Sequence, residues 1–443
     1  MSNSISSFFL VILLCLVASV QPTFGQNAVN SIYSRYGLGL DTDPGSGPQT
    51  AMGNTGTALR SPILFNPINP ASVSALSITT FQAGMRGERM WQRTAVDSLN
   101  TWRGGFSFLN LGFKLNKGWA AAAGLQPMYS MGFNTNTYTS FGGQTLRNYQ
   151  AATGGLNKVF LTQAFSPLKW FKDSLRTDIS LGISGEFIFG NYDRFRFLSF
   201  EGADTSRYLG SRLVEELNNR SLAYTTGIQI SHEFGKKRED DLRPYQLTLG
   251  FTYRPEMALP MQYSRSNVMY RILGEGTENV DTVSSFSQTE FQGTLPGEWR
   301  GGISFSYLHH LVVTYDYSLS DRSAVLLPWD AGTLGKRAFH QAGIQYYPAK
   351  KSDRAYLKHT YYRLGIRIGD TGFLAGGRMI KEQAIHAGIG LKLGKKTFST
   401  LNLGFEAARR GNLKNDALQE TWLQMNVGIV LNDATWFIKR KFD

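Results

Sequence analysis

The stretch Leu423-Gln424-Met425-Asn426-Val427-Gly428-Ile429-Val430-Leu431 alternates with period two. Its odd positions are Leu, Met, Val, Ile and Leu; its even positions are mostly Gln, Asn and Gly. Successive side chains of a strand point to opposite faces, so one face is apolar and the other small and polar. The pattern returns about fourteen times along the chain. A soluble sandwich alternates too. Here the polar face repeatedly carries full charges, and the apolar face is long enough to cross a bilayer. That combination predicts an all-β fold: an antiparallel transmembrane β-barrel of about 14 strands, with lipid outside and water or a plug inside.

The expected strands are 78–87, 104–115, 119–133, 153–166, 177–190, 222–234, 245–255, 299–308, 311–320, 337–347, 358–369, 383–393, 399–409 and 421–431. Their number is even, as a single-chain bacterial barrel with both termini periplasmic requires. Even-numbered connections are tight or charged: 116–118, 167–176, 235–244, the bend His309-His310, 348–357 and 394–398. Odd-numbered ones are generally longer: 88–103, 134–152, 191–221, 256–298, 321–336, 370–382 and 410–420. Short periplasmic turns and longer outer loops are the expected asymmetry.

Charges on the alternating strands fall on the polar face. Tyr362, Leu364, Ile366 and Ile368 oppose Arg363 and Arg367; Phe187 and Phe189 oppose Glu186; Leu403 and Phe405 oppose Glu406. A charge facing lipid at mid-bilayer costs roughly 2–4 kcal/mol. Arg363, Arg367, Lys392, Lys114, Glu186, Asp316 and Glu406 are therefore expected inside, as an ion-pair and hydrogen-bond network that mostly fills and stiffens the lumen.

Composition agrees. Hydrophobic residues make up 42% of the 443, a soluble-looking value, because only alternate residues of a barrel meet lipid. Phe8 to Val20 is apolar but short for a helical span, and Thr23-Phe24-Gly25 follows. Residues 1–25 read as a signal peptide, which directs the chain to the cell outer membrane of a Gram-negative bacterium. The one cysteine, Cys15, lies within it. The net charge of +13 sits largely in short turns, and export argues against a nucleic-acid partner. The remaining chain divides into an N-terminal segment 26–76, a barrel 77–431 and a basic periplasmic tail 432–443.

No chemistry is signalled. The six histidines have no metal-ligand spacing, and neither a phosphate loop nor a strong Ca²⁺ loop is present. The chain reads as a non-enzyme without cofactor or metal. His340 and His386, near the outer end, keep a rim-active lipid hydrolase as a third reading.

Segment 26–76 does not alternate. It contains Ala51-Met52-Gly53-Asn54-Thr55-Gly56-Thr57-Ala58 and then Asn66-Pro67-Ile68-Asn69-Pro70-Ala71-Ser72. Met-Gly-x-x-Gly is a tight bend with little bulk; Asn-Pro-Ala is a turn that can cap a short helix. With these motifs the chain resembles the FadL/TodX-type long-chain fatty-acid transporter family of outer-membrane barrels. That family has fourteen strands and an N-terminal hatch with Met-Gly-Gly-x-x-x-Ala and Asn-Pro-Ala; Asn54 stands where the pattern has its second Gly. Leu249-Gly250-Phe251-Thr252-Tyr253-Arg254, Leu295-Pro296-Gly297-Glu298-Trp299-Arg300 and Gly124-Leu125-Gln126-Pro127 are also similar. Tyr33-Ser34-Arg35-Tyr36-Gly37-Leu38-Gly39 and Trp436-Phe437-Ile438-Lys439-Arg440-Lys441 resemble its Bacteroidota branch.

The resemblance implies a hatch at Met52, Gly53, Asn54, Gly56, Asn69, Pro70 and Ala71. It also implies a lateral opening at Gly124 and Pro127. Proline cannot donate to the ladder, so Pro127 itself predicts a bulge, kink or gap. The leading expectation is a channel for passive uptake of a hydrophobic or amphipathic, fatty-acid-like molecule. Loop 256–298 would capture it with Met261, Tyr263, Met269 and Tyr270, and it would leave sideways into outer-membrane lipid. The alternative is a structural or carrier subunit with a protein partner in an outer-membrane secretion or assembly complex; Bacteroidota use barrels of this type in that way.

Overall fold

The computed structural model describes residues 31–42, 45–171, 176–202, 207–236, 243–273, 276–308, 310–329, 332–348, 355–394, 397–414 and 418–433. The expected signal peptide and residues 434–443 of the expected tail lie outside these. The strands are β1 (Leu40–Asp41), β2 (Thr79–Arg93), β3 (Ser98–Asn116), β4 (Trp119–Phe141), β5 (Gln144–Phe165) and β6 (Thr177–Glu201). Next come β7 (Gly210–Phe234), β8 (Tyr245–Arg254), β9 (Met257–Leu273), β10 (Gly276–Leu295), β11 (Glu298–Tyr307) and β12 (Leu311–Asp321). The last five are β13 (Leu334–Tyr346), β14 (Tyr361–Ala375), β15 (Arg378–Lys392), β16 (Thr400–Arg410) and β17 (Gln419–Asp433).

Fourteen of them, β2–β8 and β11–β17, pair antiparallel into one closed barrel. β8 pairs with β11 along its whole length, and β17 closes on β2. Each expected strand lies on one of these. Alternation sets the faces: in β14, Leu364, Ile366 and Ile368 are exposed toward lipid while Arg363 and Arg367 are buried. No helix among the described residues is long and apolar enough to cross a membrane.

The long-loop end differs from expectation. Residues 134–152 and 191–221 were read as loops, yet β4 and β5 run on to a two-residue turn at Gly142-Gly143, and β6 and β7 reach Glu201 and Gly210. Above the bilayer the β4 extension is polar on both faces, as in Asn134-Thr135-Asn136-Thr137, and the β6 extension is apolar on both, as in Phe197-Leu198, so no single apolar period marks them. Likewise 256–298 is the hairpin β9–β10, and β9 pairs with the upper part of β7 from Gly210↔Tyr270 to Asn219↔Met261. Met261 and Tyr263 are buried in an apolar cluster with Leu217, Leu259, Leu295 and Trp329, and Tyr270 is buried too. Of the four expected capture residues only Met269 is exposed.

The N-terminal segment runs inside the wall. It holds a 3-10 turn at Ile32–Arg35, a short helix at Gly47–Thr50 and a 3-10 turn at Pro70–Ala75. The last is capped by Asn69, whose Oδ1 accepts from the Ala71 N–H at 3.0 Å.

Candidate functional site at the wall break

The N-terminal segment is seated on glycines and one carboxylate. At Gly365 a Cβ would collide with the Gly53 nitrogen and the Met52 carbonyl carbon; at Gly250 it would meet the Thr57 carbonyl. Asp316, fully buried, accepts from the N–H of Gly56 at 2.7 Å and of Thr57 at 2.8 Å. Asn69 Nδ2 donates to the Thr57 carbonyl at 2.7 Å, and Pro70 and Ala71 press on Gly182. Gly53 and Asn54 both take positive φ, 73° and 61°. Asparagine tolerates that region better than most residues, which is how this chain makes the bend without a second glycine.

The wall is interrupted on one side. β3 and β4 pair only from Asn116↔Trp119 to Leu109↔Leu125. Beyond Leu125, β4 keeps β5 but loses β3. A bulge lies between Pro127 and Tyr129, where the prolyl nitrogen has no hydrogen to donate. Gly124 sits just below, tight against Asn110, Phe160 and Leu109. The vacated edge of β4 is taken by β1, in the register Leu40↔Ser130 and Asp41↔Tyr129. The Ser31 N–H donates to the Gly132 carbonyl at 2.9 Å, and the Thr42 N–H to the Met128 carbonyl at 3.0 Å.

Charge surrounds this junction. Asp41 is paired with Arg322, and with Arg337 at 3.1 Å. Burial pushes the Asp41 carboxyl up, but these guanidinium groups outweigh it and hold it below the ordinary carboxylate value. Glu298 binds Arg300 at 2.7 Å and Arg254 at 3.3 Å. On the other side Arg410 holds Glu382 at 2.7 Å and Glu420 at 3.2 Å, and Arg367 holds Glu382 at 2.9 Å and Glu406 at 3.1 Å. Glu88 pairs with Arg103 at 2.6 Å. A cavity of about 50 Å³ behind the gap is lined by Arg86, Glu88, Arg103, Phe106, Pro127 and Tyr129.

The expected lumen residues lie on the inner face, Lys114 exposed to solvent at the short-turn rim, but they do not meet as one network. Arg367 and Glu406 pair with each other; Glu186 pairs with Lys158 at 2.9 Å; Asp316 holds the N-terminal segment. Arg363 and Lys392 stand apart, near the short-turn end. Sequence reasoning missed β1, Arg322, Arg337, Glu382, Arg410 and Glu420. The parity of the strands, carried past their apolar stretch, would have put Glu382 and Arg410 on the lumen face. His386 faces the lumen, its Nδ1 3.5 Å from Glu406, whereas His340 faces outward beside Tyr315. Among the described residues no three His, Cys, Asp or Glu side chains converge on a metal-sized site.

A closed wall of fourteen antiparallel strands with an exposed apolar belt and an internal N-terminal segment defines a plugged transmembrane β-barrel. Solved structures of this fold match nearly the whole chain. The Ralstonia pickettii toluene transporter TbuX matches at a TM-score of 0.55 with 12% identity, over 88% of this chain and 98% of that one. The CymD monoaromatic hydrocarbon channel matches at 0.52 and 11%, over 89% and 99%. A Pseudomonas aeruginosa FadL homologue matches at 0.50 and 10%, over 90% and 99%. At such identities the likeness is one of fold. No match is found among the curated proteins. The BamG family model matches residues 5–443, and the chain belongs to that family.

Proposed function

We propose that this barrel is a structural subunit of an outer-membrane secretion or assembly complex, closed to through-transport. The observation that carries this reading is the lining of the wall break. The route a hydrophobic solute would take passes Arg86, Glu88 and Arg103, and β1 occupies the strand edge beside it. An apolar solute gains nothing from such a lining, and moving it past buried ion pairs would cost their solvation and pairing. The strands that rise above the bilayer, β4–β7 with the hairpin β9–β10, offer a tall wall of mixed polar and apolar residues, Tyr138, Phe141 and Val283 among the exposed ones, for a protein partner. Mild solubilisation and affinity isolation of the full chain test this: a stoichiometric protein partner is expected. A lone monomer carrying bound lipid would overturn it.

A second reading is favoured by the interrupted β3–β4 pairing itself. The barrel would be a non-enzymatic channel for hydrophobic or amphipathic small molecules, gated by the hatch and releasing them near Pro127. Its solved relatives in fold include a toluene transporter and a hydrocarbon channel. The mature chain expected here lacks cysteine, so a Phe106→Cys, Pro127→Cys pair bridged by a short bifunctional reagent can close the gap selectively. Loss of hydrocarbon uptake on bridging would support the channel; unchanged uptake would remove the lateral route.

A further inference from the structure

The lipid-facing side of the wall changes character at its upper edge, and on one side of the barrel it becomes basic. On β2 the outward side chains run Phe81, Ala83 and Met85, then Arg89, Trp91 and Arg93. Phe81 to Arg89 covers about 26 Å of strand, or about 20 Å of bilayer thickness once tilted, so Arg89 stands where hydrocarbon gives way to head groups. The neighbouring strands change at the same level. On β16 Phe405 and Ala407 lead up to Arg409, and on β15 Ile385 lies below Gln383 and Lys381. Register ties these positions together: Gln383 is opposite Arg409, Arg409 opposite Thr421, and Thr421 opposite Trp91.

Charge sign is sorted across this part of the wall. Glu88, Glu382, Glu406 and Glu420, on the upper parts of the same strands, are buried in the lumen. Outside stand Arg89, Arg93, Lys381 and Arg409, all exposed. The carboxylate that faces out beside them is Asp370 on β14, opposite Lys381. Among the described residues Lys381, Arg409 and Arg93 form no ion pair. Arg89 leans on Trp91, 5.3 Å from its ring centre, and donates from Nε to Asn100 Oδ1 at 3.2 Å. Across the barrel, β6 and β7 instead put Asp193 and Glu216 opposite each other on the outer face. Lys381 and Arg409 line one groove of about 360 Å³, together with Arg378, Met379, Gln383 and Asn412. That volume falls within the roughly 300–1,000 Å³ of small-molecule sites. The Gly411 N–H donates to the Lys381 carbonyl at 3.0 Å, which sets Lys381 diagonal to Arg409 on the same face. Diagonal neighbours lie about 7–8 Å apart, close enough for two long side chains to converge on one anion. Directly below the groove Ile368, Ile385 and Phe405 are exposed toward lipid.

We propose that this outer face holds a phosphorylated glycolipid of the outer leaflet. Its phosphate sits between Lys381 and Arg409, its sugar hydroxyls meet the side chains of Gln383, Thr421 and Asn412, and its acyl chains lie on Ile368, Ile385 and Phe405. Cations at the edge of the belt are drawn to any anionic head group. The amide and hydroxyl groups set between them are what single out a sugar. The site lies outside the wall, so it stands whether the barrel transports or assembles.

The probe is diphosphoryl lipid A, added with an equimolar amount of phosphatidylglycerol to the full chain in neutral detergent, with binding read by native mass spectrometry. Lipid A is expected to bind in preference to phosphatidylglycerol, and its dephosphorylated form at least tenfold more weakly. Lys381→Gln combined with Arg409→Gln should weaken lipid A binding at least tenfold. Gln383→Glu, which places a carboxylate in the groove, should do the same in a chain whose cations are intact. Arg220→Gln, which removes an exposed cation from β7, should leave binding unchanged. Heat-modifiable migration reports the folded barrel for each variant. Equal binding of lipid A and phosphatidylglycerol would mean that the cations only reach for passing head groups, and would overturn the proposal. So would undiminished binding of the dephosphorylated form, or an equal loss from Arg220→Gln.

Discussion

Leu40 stands opposite Ser130, on the stretch of β4 from which β3 has departed. Gly39, just before it, has φ +96°, and a Cβ there would meet the Ser130 carbonyl oxygen at 2.5 Å. A side chain at this position therefore faces both backbone strain and a collision with backbone. Gly39→Val is expected to lift β1 from the β4 edge while leaving the barrel folded. Amide hydrogen exchange at Ser130 and Gly132 should rise by an order of magnitude or more. Unchanged protection would mean that β1 is not what covers this edge.

Asp41 fixes β1 from its side chain. Removing its charge takes from the buried guanidinium groups of Arg322 and Arg337 their nearest counter-charge. Asp41→Asn should release residues 31–42 to limited proteolysis. The pH dependence has a definite sign. The carboxyl is depressed in the folded state, so its contribution is present above the ordinary value of about 3.9 and is lost only as pH falls through the lower folded value. Proteolytic release between pH 7 and about 5 would contradict this arrangement.

Asp316 acts on a different part of the segment. Its carboxylate accepts the N–H groups of Gly56 and Thr57, and Asp316→Leu would orphan both, at about 1–3 kcal/mol each. Residues 51–58 should then exchange faster than residues 31–42. Equal acceleration of the two stretches would show that the segment moves as one body.

The glycine at 365 makes a sharper prediction. The Gly53 backbone lies directly on it, leaving no volume for a side chain. Gly365→Leu should expel residues 51–58 from their seat yet leave strand pairing intact, because its neighbours in β14 keep their register with β13 and β15. Circular dichroism should be preserved while electrical conductance across planar bilayers appears. A silent membrane would show that the closure does not depend on this contact.

The wall was legible because lipid selects every second residue. Each of the fourteen expected strands corresponds to one in the barrel, and the buried positions of Arg363 and Glu406 follow from parity alone. Legibility ended where lipid ends. Asn134 to Phe141 is strand without an apolar face, and its pairing comes from β5 rather than from any local period. Met261 and Tyr263 looked like loop residues because the partner that buries them, the upper half of β7, is distant in sequence. The pairing of charges was equally hidden: that Arg367 meets Glu382 and Glu406 depends on registers between three strands. β1 is only two residues long, too short for any periodicity to announce it.

The seam between β17 and β2 has consequences for how the molecule is made. It is an unbroken ladder of fifteen pairs, from Gln419↔Arg93 to Asp433↔Thr79, whereas β3 and β4 share only seven. A long and unbroken join thus unites the two ends of the barrel's sequence, and forming it must await the last strand. The contacts between residues 31–76 and β4–β8 are much nearer along the chain and carry a smaller loop-closure cost. Part of the interior can therefore be furnished before the cylinder is sealed, while the seats at Asp316 and Gly365 wait for β12 and β14.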